Sequence, residues 1–159
     1  MKQKELSIWL RVITAAAGVC CALLAFVIVP SVGCRAAERM PEFSGLFWPC
    51  LIFFWVSVVP VAWALVLAWR IFARIGRDRS FCMENAAALR SISRLAALDT
   101  ALYVAAAVVM ALNGLGTEIL LLIFLGVVFI GICVCICCAA LSHLTRKAAE
   151  MQSENDLTI

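Results

Sequence analysis

Apolar residues fall into four long runs separated by short polar stretches. The first run covers 8–30, the second 46–72, the third 95–112 and the fourth 119–141. None shows the two-residue alternation of a half-buried strand. A helix rises 1.5 Å per residue, so roughly 20 apolar residues cross about 30 Å of hydrocarbon. Each run reaches or nearly reaches that length. Only helices and closed barrels satisfy every backbone polar group in lipid, and a barrel requires alternation. The pattern predicts an all-α fold, an integral membrane four-helix bundle. Residues 1–145 form its transmembrane domain and 146–159 a C-terminal tail. The third run is the shortest and contains Asp99, so it is expected to continue a helix that begins outside the membrane near Met83.

Composition agrees. The 159-residue chain is 65% hydrophobic and 14% charged, with mean hydropathy +1.06. Soluble domains are about half apolar and a quarter charged. This chain has too little polar surface to coat a soluble domain. The net charge of +3 acquires meaning from its distribution. Lys2, Lys4, Arg11, Arg70, Arg74, Arg77, Arg79, Arg90, Arg94, Arg146 and Lys147 lie on one side of the runs; only Arg35 and Arg39 lie on the other. The excess of basic residues places both termini and the 73–94 loop in the cytoplasm, with short outer loops at 31–45 and 113–118. Asn113-Gly114-Leu115-Gly116 reads as a tight turn that makes the last two spans an antiparallel hairpin. The first run has the basic start and apolar core of a secretion signal, and 31–34 resembles a lipoprotein cleavage box. Its core is longer than such signals use, and Ser31 stands where an aliphatic residue is preferred, so a retained span is expected.

The interior chemistry is sparse. Ala97, Ala101 and Ala105, and Ala107 and Ala111, recur at four-residue spacing and suit close helix packing. Pro60 removes a helical hydrogen bond, so a kink is expected, with Ser57 helping to satisfy the freed groups. Trp9, Trp48 and Trp69 fit interfacial anchors, and Trp55 and Trp63 deeper packing positions. Asp99 is the acidic residue inside an apolar run, where a charge costs roughly 2.5–3.5 kcal/mol on insertion scales. Tyr103, one turn later, is placed to hydrogen-bond to it. An ion pair between Asp99 and Arg94 or Arg90 is the expected state; a proton or cation pathway is the alternative. Paired discontinuous helices, which transporters use, are not visible.

Nine cysteines are present, four of them at 133, 135, 137 and 138. Cys133 and Cys137 share a helical face while Cys135 points away. They read as small buried apolar residues, so no metal site and no cofactor is expected. Cys34 and Cys50 both lie toward the outer face, where one disulfide can form. His143 fits a helix C-terminal end, complementing the dipole. No nucleotide-binding loop, zinc-protease motif or nucleophile elbow occurs, so the chain gives no support for an enzyme.

The basic loop and the tail carry the remaining information. Gly76 suits the end of the second helix, and Glu84 and Asn85 suit the first turn of the next. Ala88, Leu89 and Ile92 then recur at helical spacing, with Arg90 and Arg94 opposite. These basic residues either hold anionic headgroups or only fix topology, the second being the commoner case. The tail turns from basic to acidic and ends in an apolar, β-prone tripeptide. Alone, it is expected to be disordered, with an end suited to docking as an added strand or in a groove.

Phe81, Glu84-Asn85 and Leu89-Arg90-Ser91-Ile92 after the second span, with Glu154-Asn155-Asp156-Leu157-Thr158-Ile159 at the end, resemble the bacterial membrane-protein family known as domain of unknown function (DUF) 2975. The resemblance covers essentially the whole chain. Members often carry Pro before the Glu-Asn pair, where this chain has Met83. The family has no assigned activity, and its members are often encoded beside a small phage-repressor-like helix-turn-helix protein. The resemblance implies a multi-pass protein of the bacterial cytoplasmic membrane: a non-enzymatic regulatory partner that binds a small cytoplasmic helix-turn-helix regulator and does not itself contact nucleic acid. Phe81, Glu84, Asn85, Arg90, Glu154, Asn155, Asp156, Leu157, Thr158 and Ile159 are its candidate contacts. A homo-oligomer stays open, and the alternative function is a small transporter or ion-conducting oligomer using Asp99.

Overall fold

The computed structural model describes residues 3–39, 45, 47–77, 80–114 and 118–156. Among these, helix α1 (Gln3–Leu23) passes through a π turn (Leu24–Ile28) into α2 (Val29–Arg39). Three long helices follow: α3 (Phe47–Ile75), α4 (Met83–Leu112) and α5 (Glu118–Asp156). Four helical passages are long and apolar enough to cross a membrane.

Two boundaries differ from the sequence reading, each for a local reason. The first run was expected to stop at Pro30, yet the helix continues to Arg39. Proline cannot donate to the helical ladder. Here the π turn absorbs the defect, with Val29 N–H reaching the Leu24 carbonyl five residues back. The stretch 31–39 is therefore helix instead of outer loop. The tail was expected to be disordered, but α5 stays helical for 39 residues, through Asp156. At 1.5 Å per residue that is roughly 58 Å, almost twice the hydrocarbon thickness, so a long piece of α5 must stand outside the bilayer.

Other boundaries follow the sequence. Helix α4 starts at Met83 and runs without interruption into the apolar third run. Helix α3 ends at Ile75, where Gly76 N–H closes onto the Phe72 carbonyl. Asn113 N–H returns to the Val109 carbonyl and Gly114 adopts φ +65°, opening the turn toward α5. Helix α3 passes through Pro60 as one element.

The packing is inside out relative to a soluble protein. Buried apolar positions are mostly small or medium, such as Ala25, Ala86, Ala88 and Ala149. Buried polar positions include Ser7, Ser57, Asn85, Ser93 and Ser142. Phe26, Trp48, Leu122 and Phe129 point outward, each more than 60% exposed. That distribution fits hydrocarbon as the solvent, where apolar side chains gain nothing by leaving the surface and small interfacial residues let backbones approach.

Serine hydroxyls fasten the helices. Ser7 Oγ donates to the Phe72 carbonyl at 2.6 Å, joining α1 to the end of α3. Ser93 Oγ donates to the Cys135 carbonyl at 2.9 Å and Ser142 Oγ to the Ala86 carbonyl at 2.7 Å, joining α4 to α5. Gly131 of α5 sits so close to Thr100 of α4 that an added Cβ would collide with its hydroxyl. Ile71, Ala88 and Ile92 form an apolar cluster where α3 meets α4.

Candidate functional site

Two polar regions stand out: a cluster within the spans and a structured end rich in arginine. In the cluster, Ser57 of α3 donates to the Tyr103 hydroxyl of α4 at 3.2 Å. The Asp99 carboxyl lies beside the same Ser57 hydroxyl. Phe53 of α3, Tyr103 of α4 and Phe124 of α5 close around it edge to face, with centroids 5.3 Å and 5.4 Å from the tyrosine ring. Such aromatic pairs favour this geometry because a positive ring edge meets a negative face. Asp99 Oδ1 is buried and has no hydrogen-bond partner among the described residues.

This corrects two expectations. Among the described residues Asp99 pairs with neither Arg94 nor Arg90, whereas Arg74 pairs with Glu84 and Arg146 with Glu150. Five residues along a helix turn the side chain by about 140°, and nine by about 180°. Asp99 thus faces α3 while both arginines face away. Tyr103 was expected to hydrogen-bond to Asp99, and instead its hydroxyl accepts from Ser57. The Ser57 hydroxyl thus reaches across to α4 and not toward the backbone freed by Pro60.

At the arginine-rich end, Arg74 in the last turn of α3 holds the first turn of α4. Its Nε lies 2.9 Å from Glu84 Oε2, and its Nη1 donates to Asn85 Oδ1 at 3.4 Å. Asn85 Nδ2 donates to the Ser80 carbonyl at 3.0 Å, and the residue is only 1% exposed. Asn85 is therefore a buried fastener of the α3–α4 connection, unavailable to a partner in this arrangement. Phe81 and Met83 beside it are 60% and 52% exposed. Arg90 is exposed on the next turn of α4. Glu154 is exposed near the end of α5; Asn155 and Asp156 complete the helix, and Leu157, Thr158 and Ile159 lie outside the described residues.

The sequence reading missed two contacts. The Arg11 guanidinium lies 5.8 Å over the Trp69 ring, a cation–π contact between α1 and α3. Trp55 reaches the backbone of the π turn. Neither is signalled by spacing, because both depend on the register between helices distant in sequence. The sulfurs of Cys34 and Cys50 are free thiols, both exposed. Cys135 turns toward Ser93, with its sulfur 3.4 Å from the hydroxyl, while Cys133 and Cys137 are exposed. No group of three or more metal-ligating side chains converges among the described residues.

Four apolar helical passages, an outward-facing apolar surface and interhelical serine fasteners define a multi-pass membrane protein that sits in a lipid bilayer. The chain belongs to the family described as protein of unknown function (DUF2975), whose profile matches residues 31–159. It is similar to the uncharacterized membrane protein YoaS of Bacillus subtilis (strain 168), at 26% identity over 158 residues, covering 96% of this chain and 97% of that relative. No solved structure matches it. The relative and the family together place the protein among multi-pass bacterial membrane proteins.

Proposed function

We propose that this protein is a non-enzymatic regulatory membrane protein that binds a small cytoplasmic helix-turn-helix regulator at its arginine-rich end. The reading takes that end as cytoplasmic, following the excess of basic residues there. Its main support is the fastened α3–α4 connection. Arg74 braces Glu84 and Asn85, and this holds Phe81 and Met83 exposed beside a helix terminus. A rigid, exposed aromatic next to a flexible thioether makes a compact apolar contact for a partner. The extension of α5 supplies a second surface leading to the acidic Glu154-Asn155-Asp156 end.

Co-expression with a helix-turn-helix regulator encoded beside the gene tests this. The full-length protein should retain the regulator through detergent purification, and Phe81→Ala or truncation after Ser153 should reduce recovery. Equal recovery with both variants would remove these surfaces from the reading.

A second reading rests on Asp99, whose Oδ1 is buried without a hydrogen-bond partner among the described residues. An ionisable group at membrane depth is a functional candidate. In this reading Asp99 relays protons or cations, with Ser57 and Tyr103 as its polar neighbours. Flux in proteoliposomes should then disappear in Asp99→Asn, and unchanged flux would exclude the role.

A further inference from the structure

Between α4 and α5, at the arginine-rich end, lies a groove of about 290 Å³. Its walls include Arg90, Arg94 and Arg146, with Met83, Ser91 and Ser142. Three guanidinium groups share this space. Arg146 is partly committed, with Nε 2.8 Å from Glu150 Oε1. Among the described residues, no hydrogen bond or ion pair is made by Arg90 or Arg94. These two stand four residues apart on one helix, a spacing at which like charges repel. Both hydroxyls already donate to backbone: Ser91 Oγ to the Ala87 carbonyl and Ser142 Oγ to the Ala86 carbonyl. The donors left over are therefore guanidinium N–H groups. Such a set suits an acceptor-rich anion, and guanidinium binds phosphate oxygens through two parallel hydrogen bonds.

We propose that this groove binds the phosphate of an anionic phospholipid headgroup. Three observations favour a lipid. The groove lies directly before the apolar part of α4, which begins at Leu95, so it sits at headgroup level. Its lining is partly apolar, with Ala86 and Ala87 beside Met83. Its charge is unbalanced, with three arginines and no carboxylate among the residues that line it, which is the arrangement that attracts anionic headgroups.

The full-length protein in a neutral detergent, examined by native mass spectrometry with added phosphatidylglycerol, phosphatidylcholine or inorganic phosphate, tests the assignment. Phosphatidylglycerol should be retained, and Arg90→Gln/Arg94→Gln together should cut retention roughly thirtyfold. Arg90→Lys/Arg94→Lys keeps the charge and loses the paired geometry, so it should fall between. Arg35→Gln at the other end should change nothing. Unfolding temperature without lipid identifies any variant that has lost its fold, and the lysine pair then carries the comparison. Equal retention of phosphatidylcholine, or undiminished retention by both double variants, would overturn the site. Inorganic phosphate displacing phosphatidylglycerol at equal concentration would overturn the lipid as its source.

Discussion

The indole of Trp55 donates through Nε1 to the Ala25 carbonyl at 3.1 Å, across the interface between α3 and the π turn. The bond answers a defect that Pro30 creates. Within the π turn each N–H reaches back five residues, as Val29 does to Leu24. The next donor in that register would be residue 30, which has no N–H, so the Ala25 carbonyl lacks its helical partner. Ala25 is fully buried, which makes an unsatisfied carbonyl there costly. A tryptophan thirty residues away supplies the missing donor.

Trp55→Phe should therefore destabilise the fold by about 1–3 kcal/mol, the cost of orphaning a buried acceptor together with lost contact. Pro30→Ala returns a backbone N–H to the ladder. In that background the same Trp55→Phe change should cost less than about 1 kcal/mol. Unfolding by sodium dodecyl sulfate titration in mixed micelles measures both arms. Identical costs in the two backgrounds would show that Trp55 does not compensate for Pro30.

The α4–α5 contact makes a second, steric prediction. A methyl at Gly131 meets the Thr100 side chain, whereas nothing stands within 4 Å of a Cβ at Gly126 on the same helix. Gly131→Ala should cost about 1–3 kcal/mol by overpacking. Gly126→Ala should be neutral, or stabilising by up to about 1 kcal/mol through helix propensity. Thr100→Ala should recover most of the Gly131→Ala loss. The same titration separates these variants, and equal effects at the two glycines would contradict the close approach.

The four passages were legible because lipid leaves the backbone few alternatives, and the start of α4 because Glu84 and Asn85 suit a first turn. The angular separation of Asp99 from Arg94 was also available from helix geometry. Which neighbour each face of α4 meets was not, because that depends on interhelical register. Ser57, Trp55 and Arg11 all find partners on other helices, beyond the reach of local spacing. Pro30 misled because a π turn can carry a helix past a proline. The tail misled for a kinetic and thermodynamic reason. A free fourteen-residue peptide pays the cost of helix nucleation, while residues 146–156 extend a helix that already exists.

The fastening of α3 to α4 distributes its strength unevenly. Arg74–Glu84 is an ion pair whose acidic side chain is 67% exposed, so Glu84→Gln should cost no more than about 1 kcal/mol. Asn85 is buried and bonds to both Arg74 and the Ser80 carbonyl, so Asn85→Ala should cost about 1–3 kcal/mol. Hydrogen exchange at Ser80 and in the first turn of α4 should speed up in Asn85→Ala and stay close to native in Glu84→Gln. The reverse order would make the ion pair the principal fastener.

Asp99 faces Ser57 with one carboxyl oxygen unbonded among the described residues. Asp99→Asn keeps a polar group beside Ser57 while removing an ionisable one, whose charged form is costly at membrane depth. The variant should be more stable than the native protein, by roughly 1–3 kcal/mol. A loss of stability would mean that the charge itself is favourably compensated. Combined with the flux measurement, this distinguishes a carboxylate retained for function despite its cost from one that holds the bundle together.

Orientation can be read from two cysteines at opposite ends. Cys34 is exposed on α2, whereas Cys82 precedes α4 at the arginine-rich end. The excess of arginine and lysine at that end argues that it faces the cytoplasm. Two chains, each keeping only one of these cysteines, should then react oppositely with a membrane-impermeant maleimide on whole cells stripped of any outer barrier. Cys34 should label directly, because its thiol is free and exposed. Cys82 should label only after the membrane is permeabilised, and more slowly, because it is half-buried. Direct labelling of Cys82 with protection of Cys34 would invert the protein in the bilayer. It would also move Phe81, the arginine groove and the end of α5 away from any cytoplasmic regulator, so the proposed partner would fail with it.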